Sequence, residues 1–177
     1  MSSQDTPIQQ LVESLQERAK ELSCLYRVDE ILADPTVPPA EICRRLVEVV
    51  PPGWKYPESC AARLTLKDQH GQTANFAETP WSLSAAIVVE GVEHGKLIVC
   101  YTEERPAADE GPFLKEERKL IDTITERLAF FMTRRNLHQA HQSLRNAQSL
   151  SGQSQKTEWT VILDFLRRTD PDLLRRI

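Results

Sequence analysis

An α+β fold is predicted for this chain: an antiparallel sheet packed with helices, with a long helix at each end. Three observations carry that reading. Apolar residues recur at spacings of three and four at both ends, as one face of a helix requires. Between residues 59 and 103 they alternate with polar ones at period two, as half-buried strands do. The segment 90–95 carries two glycines between two alternating runs, which makes the pair an antiparallel hairpin. A length of 177 residues suits one compact domain with appendages.

The first helix shows Ile8, Val12, Leu15, Ala19, Leu22 and Tyr26 at spacings of 4, 3, 4, 3 and 4, the heptad seam of a coiled coil. A second stripe of Leu11, Leu25, Val28 and Leu32 faces elsewhere, so one side is expected on a domain core and the other on a partner helix. Asp34-Pro35 ends the helix, because the residue before proline avoids helical angles. A shorter helix starts near Pro38-Pro39, carries Ile42, Leu46, Val49 and Val50 on one side, and is closed by Pro51-Pro52-Gly53.

Cys60, Ala62, Leu64 and Leu66 then define a strand, and Asp68-Gln69-His70-Gly71 a turn. A short return strand is expected near residues 73–76. After the break at Thr79-Pro80, Trp81, Leu83, Ala85, Ile87 and Val89 alternate. Leu97, Val99 and Tyr101 share their buried face across the loop at 90–95.

From Phe113 a helix runs to about residue 148. Leu114, Ile121, Ile124, Leu128 and Phe131 form its stripe, continued by Leu137, Ala140, Leu144 and Ala147. So long a stripe requires a partner. Residues 149–157 are polar and contain Gly152, as a flexible linker does. Trp159, Ile162, Leu163 and Leu166 make one more amphipathic segment, and Asp170-Pro171-Asp172 has the chemistry of a helix start. The organisation expected is thus a coiled-coil helix at 1–23, a domain at 24–133, a helical extension and linker at 134–157, and the start of a downstream module at 158–177.

Composition narrows the function classes. No run approaches the roughly 20 apolar residues of a membrane helix, and the start lacks the basic and apolar regions of a secretory signal, so a cytoplasmic protein without membrane contact is expected. Cys24, Cys43, Cys60 and Cys100 are spread singly, with no Cys-x-x-Cys pair, and are read as buried small hydrophobes. The net charge of −4 is uneven. Residues 1–133 carry 14 Lys and Arg against 22 Asp and Glu, and residues 134–177 carry 8 against 4. That basic tail, interrupted by acids, is a solvated helix face rather than a nucleic-acid site.

No catalytic residue, cofactor or metal ligand is assigned. His138 and His141 share a helix face but are read as surface residues, and His70 and His94 lie in turns without a nucleophile beside them in sequence. The glycines, at 53, 71, 91, 95, 111 and 152, fall at turns or linkers and form no phosphate-cradling loop. Trp54, Tyr56 and Trp81 are the aromatics that could line a small-molecule pocket, although aromatics beside proline turns more often seal a core edge.

Gly95-Lys96-Leu97 followed by Phe113, Glu116, Glu117, Leu120, Ile124 and Leu128 resembles the GAF family of small sensory domains over residues 24–133. Acids favour the positive amino end of a helix and the apolar positions lay it on the sheet. Pro51-Pro-Gly-Trp-Lys-Tyr-Pro57, Glu78-Thr-Pro-Trp81 and Glu110-Gly-Pro-Phe-Leu-Lys-Glu-Glu117 resemble a GAF-like subgroup at the front of bacterial signalling and metabolic proteins. Trp159-Thr-Val-Ile-Leu-Asp-Phe-Leu-Arg-Arg-Thr-Asp-Pro-Asp-Leu-Leu174 is similar to the segment that follows that domain in phosphoenolpyruvate synthase-like proteins. The segment Asn75-Phe76-Ala77-Glu78 departs from the Asn-Lys…Phe…Asp-Glu set of cyclic-nucleotide-binding members. The interval 69–81 is also too short for the helix-bearing lid of ligand-binding members.

The resemblance implies a GAF-like antiparallel sheet whose terminal helices form a dimeric bundle. It also implies a non-catalytic regulatory role, coupling a signal or assembly state to a downstream catalytic region of the same chain. Val12, Leu15, Leu22, Tyr26, Ile121, Leu128 and Phe131 are expected at the seam of a homodimer. Two modes of action stay open: the sheet senses a small molecule, or the domain is an assembly unit only. The alternative class is a fragment of an ATP-dependent phosphoenolpyruvate synthase-like phosphotransferase, and a sensor histidine kinase parent is the third choice.

Overall fold

The structure, a computed structural model, describes residues 5–169, with side chains over 8–146. Helix α1 spans Asp5–Leu32 and α2 Pro39–Val49; strands β1 to β4 span Cys60–Leu66, Gln69–Gln72, Ser82–Val89 and Val92–Tyr101; α3 spans Lys115–Thr169. Short 3-10 turns at Pro51–Gly53 and Pro57–Ser59 join α2 to β1. The chain divides into two units, Met1–Arg135 and Asn136–Ile177. No helix among the described residues is long and apolar enough to cross a membrane.

The ends of α1 and α2 follow local chemistry. Beyond Leu32 the Asp34 carboxylate accepts from the Thr36 amide at 2.8 Å and its hydroxyl at 2.7 Å, folding the chain away from the helix. Pro39 then occupies the first turn of α2, where a missing amide costs nothing. The sheet is antiparallel with strand order β2-β1-β4-β3. On one face, Leu64, Leu66, Leu83, Ile87, Leu97, Val99 and Tyr101 join a single core with Val28 and Ile31 of α1, Ile42 and Leu46 of α2, and Ile121, Ile124 and Leu128 of α3. On the other, Arg63 lies 4.1 Å from the Phe76 ring centroid, and Ala77 carbonyl oxygen accepts from the Cys100 thiol at 3.2 Å. The segment after β2 therefore covers that end of the sheet.

Several boundaries differ from expectation. The first hairpin turns at Lys67 and Asp68, with Lys67 at φ 52°, so residues 69–72 are strand rather than turn and no strand occupies 73–76. Thr73 instead pairs with Ala62, accepting at its hydroxyl from the Ala62 amide at 3.1 Å. The second hairpin is tighter than the 90–95 loop: Glu90 at φ 53° and Gly91 at φ 79° make a two-residue turn of the primed kind that suits strand twist. His70 and His94 consequently lie on strands, not in turns. The last helix begins at Lys115, and residues 149–157, expected as a linker, are helical within α3. Single polar residues and one glycine lower helix propensity without ending a helix. Asp170-Pro171-Asp172 lies outside the described residues, as do the side chains of Trp159, Ile162, Leu163 and Leu166.

Gly95 is fixed by packing, since a Cβ there would stand 2.0 Å from the Thr65 carbonyl oxygen of the neighbouring strand. Gly95→Ala is expected to cost about 3 kcal/mol, lowering the Tm by roughly 6–12 °C in a thermal melt. Gly91→Ala, where open space surrounds the site and only φ is unfavourable, is expected to cost about 1–2 kcal/mol.

Candidate functional site

Helix α1 has two apolar faces. Cys24, Val28, Ile31 and Leu32 are buried in the core. The other face holds Ile8, Leu11, Val12, Leu15, Leu22 and Tyr26, each between 46 and 73% exposed. Four of the residues expected at a dimer seam, Val12, Leu15, Leu22 and Tyr26, therefore stand open in one copy of the chain. Leu11, grouped by spacing with the inward stripe, joins the outward face and widens it. The positions flanking the seam, Gln9, Gln16, Arg18 and Ser23 besides Leu11 and Leu25, include a single charge.

The same expectation fails on α3. Ile121, Leu128 and Phe131 are at most 2% exposed and lie in the core of their own chain, so no second copy can reach them. The heptad pattern identified an apolar face correctly but not what it packs on; the sheet takes it. Among the described residues of this helix the open large hydrophobics are Phe130 in the first unit and Leu137 and Leu144 in the second.

Three arginines tie α3 to the end of α1. Arg127 donates to the Leu25 carbonyl at 3.1 Å and pairs with Asp29; Arg134 donates to the carbonyls of Leu32, at 3.4 Å, and Ala33; Arg135 donates to those of Pro35, at 3.0 Å, and Val37. The last turn of α1 has no basic residue of its own. The Leu32 carbonyl, one of its orphan acceptors, and its negative dipole end are served from another helix.

The start of α3 is organised by Glu117, a carboxylate only 2% exposed. It accepts from the Tyr101 hydroxyl at 2.7 Å, the Lys55 amide at 2.9 Å and the Leu114 amide at 2.7 Å, the last being the reciprocal half of a capping box. Tyr101 stacks on Phe113 at 4.8 Å between centroids and meets Tyr56 edge-on at 5.6 Å. Burial first, then the bond to Glu117, pushes the Tyr101 hydroxyl far above its usual range, so it stays a donor.

The three candidate pocket aromatics are not brought together. Trp54 is fully buried, with its indole nitrogen unpaired among the described residues, while Tyr56 and Trp81 are half-buried against the core edge. Proline-flanked aromatics seal the core here rather than line a cavity. Other residues line open clefts. One, of about 380 Å³, runs between α1 and the start of α3 and is lined by Glu13, Glu17, Glu21, Lys55 and Glu116 among others. Burial and the neighbouring Glu116 raise the Glu21 carboxyl above its ordinary value. Among the described residues no group of His, Cys, Asp and Glu converges as a metal site. His138 instead lies 2.9 Å from the Gln142 amide nitrogen.

All four cysteines are buried and free. Burial pushes the Cys24 thiol up to about 12 and the Cys43 thiol up to about 11, and raises Cys60 and Cys100 too, so none holds the thiolate that reacts at neutral pH. Alkylation with a maleimide at pH 7 is expected to modify none of the four in the native chain within minutes and all four in denaturant, read by mass spectrometry. Glu117→Gln, which keeps the shape but loses the charge of the buried acceptor, is expected to cost about 1.5–3 kcal/mol in denaturant unfolding. Compared with protein-family models, curated proteins and solved structures, the chain matched none, and its reading rests on its own residues.

Proposed function

We propose that this chain is a non-catalytic, GAF-like regulatory and dimerisation domain, coupling assembly state to a region that follows it in the same chain. One observation carries the reading: the outward face of α1, where six large apolar side chains stand open along five helical turns. Between residues 8 and 16 no side chain of α1 is even half-buried. So short a helical stretch gains little from propensity alone and is stabilised by packing. Each such side chain contributes about 1.5–3 kcal/mol when fully buried.

A second copy of the chain is the occupant the face fits. Val12 with Leu15 and Leu22 follows the β-branched and leucine alternation of paired helices. The flanks carry only Arg18, so two copies meet without like charges ranged against one another. The antiparallel sheet flanked by helices supports the GAF-like reading, together with Gly95-Lys96-Leu97 and the Phe113 to Leu128 pattern. The phosphoenolpyruvate synthase-like setting rests on the resemblance of residues 159–174 alone.

Under this reading wild type sediments as a dimer of roughly 40 kDa, twice the 20.2 kDa of the chain, at tens of micromolar. Leu15→Glu with Leu22→Glu is expected to raise the dimer Kd about a hundredfold or more, by placing carboxylates in an apolar seam. At low temperature the sheet keeps its circular dichroism, because both positions are outside its core, and the melting temperature falls only by what dimerisation had added. A monomeric wild type at high micromolar concentration overturns the proposal.

A further inference from the structure

The three arginines on α3 do more than cap a helix. Arg127 and Arg134 are seven residues apart, two turns, and reach α1 at Leu25 and Asp29 and then at Leu32 and Ala33, which are also two turns apart. The two helices therefore run side by side in the same direction over this stretch of the first unit. Arg135 carries the attachment past the end of α1, onto the Pro35 and Val37 carbonyls. Their acceptors are almost all backbone oxygens, which cannot swing away as a side-chain acceptor would. Each guanidinium serves its two acceptors from one terminal nitrogen, whose two hydrogens are fixed in the plane of a rigid group, whereas the ammonium of a lysine is shorter in reach and turns freely. Sliding one helix past the other by a single turn, about 5.4 Å, breaks every one of these bonds at once.

We propose that Arg127, Arg134 and Arg135 form a clasp that joins the end of α1 to α3 as one mechanical body, so that a disturbance of α1 is passed to α3 without slip. This deepens the regulatory reading above and rests on it for what moves α1. The clasp itself is tested without reference to dimerisation.

The test is hydrogen exchange on the full chain, comparing Arg134→Gln with Arg135→Gln against wild type, each with and without Glu30→Gly. Glu30 is exposed on α1, and a glycine there raises local opening about fivefold. Amides of β1 and β4 serve as the reference for opening of the whole domain. In wild type, Glu30→Gly is expected to speed exchange at residues 127–135 severalfold relative to that reference. In the arginine double variant it is expected to speed exchange at 25–32 only. Arg134→Lys with Arg135→Lys keeps the charge but loses the reach and the fixed in-plane pair of hydrogens, and is expected to behave like the glutamine pair. Transmission of equal size with and without the arginines overturns the proposal, as does a wild type in which residues 127–135 ignore Glu30→Gly. A monomeric wild type that still transmits removes the dimer reading and leaves the clasp standing.

Discussion

A carboxylate taken out of water costs several kcal/mol unless donors replace the lost hydration, and Glu117 is given three of them. The Lys55 amide comes from the connection after α2, the Tyr101 hydroxyl from the end of β4, and the Leu114 amide from the residue ahead of α3. Lys55 and Tyr101 are remote from Glu117 in sequence and reach it only when the first turn of α3, closed locally by Leu114, is docked beside the end of β4. The stacked Phe113 and Tyr101 rings lie at the same point. The packing of this helix within the first unit continues from that docking. It sets Ile121, Ile124 and Leu128 against the sheet, presents Arg127 and Arg134 to α1, and turns Phe130 outward.

The two helices then divide their apolar surface differently. An amphipathic helix with one apolar stripe satisfies it on its own sheet, and α3 does so over its first turns. Helix α1 has more apolar surface than one contact can cover. Cys24, Val28 and Ile31 take the core, while Leu15 and Leu22 remain outside it. The proposed dimer would cover that second side, and the arginine bonds at the end of α1 connect its position to α3. In the proposed regulatory role this is the path by which a change at one surface would alter the geometry of a helix leading elsewhere.

Much of this was legible from residues alone. The alternation of Cys60, Ala62, Leu64 and Leu66 located β1, and that of Leu83, Ile87, Leu97 and Val99 located the second hairpin with its buried face. Pro39 and Asp34-Pro35 marked helix ends because backbone sterics there are local. The turn at Lys67 was missed, since a lysine at positive φ has no composition signal and the Gly71 nearby drew the expected turn to residues 68–71; that glycine is needed because a Cβ would lie 2.7 Å from the Cys43 backbone of α2. Glu117 was legible as an acid in a first helical turn, but nothing local announced that it is buried.

The sequence by itself determined α1, α2, β1, β3, β4 and the first part of α3, and which of their faces are apolar, because side-chain period follows from backbone geometry. Only the tertiary structure decided which apolar face is used up internally. Ile121, Leu128 and Phe131 follow the same heptad repeat as Val12, Leu15 and Leu22, yet the first set is buried and the second open. Burial depends on what lies opposite a face, and that partner is supplied by residues remote along the chain. The same reason hid the arginine clasp: Arg127 and Leu25 are about a hundred residues apart, and only the packed sheet between them brings them within a hydrogen bond.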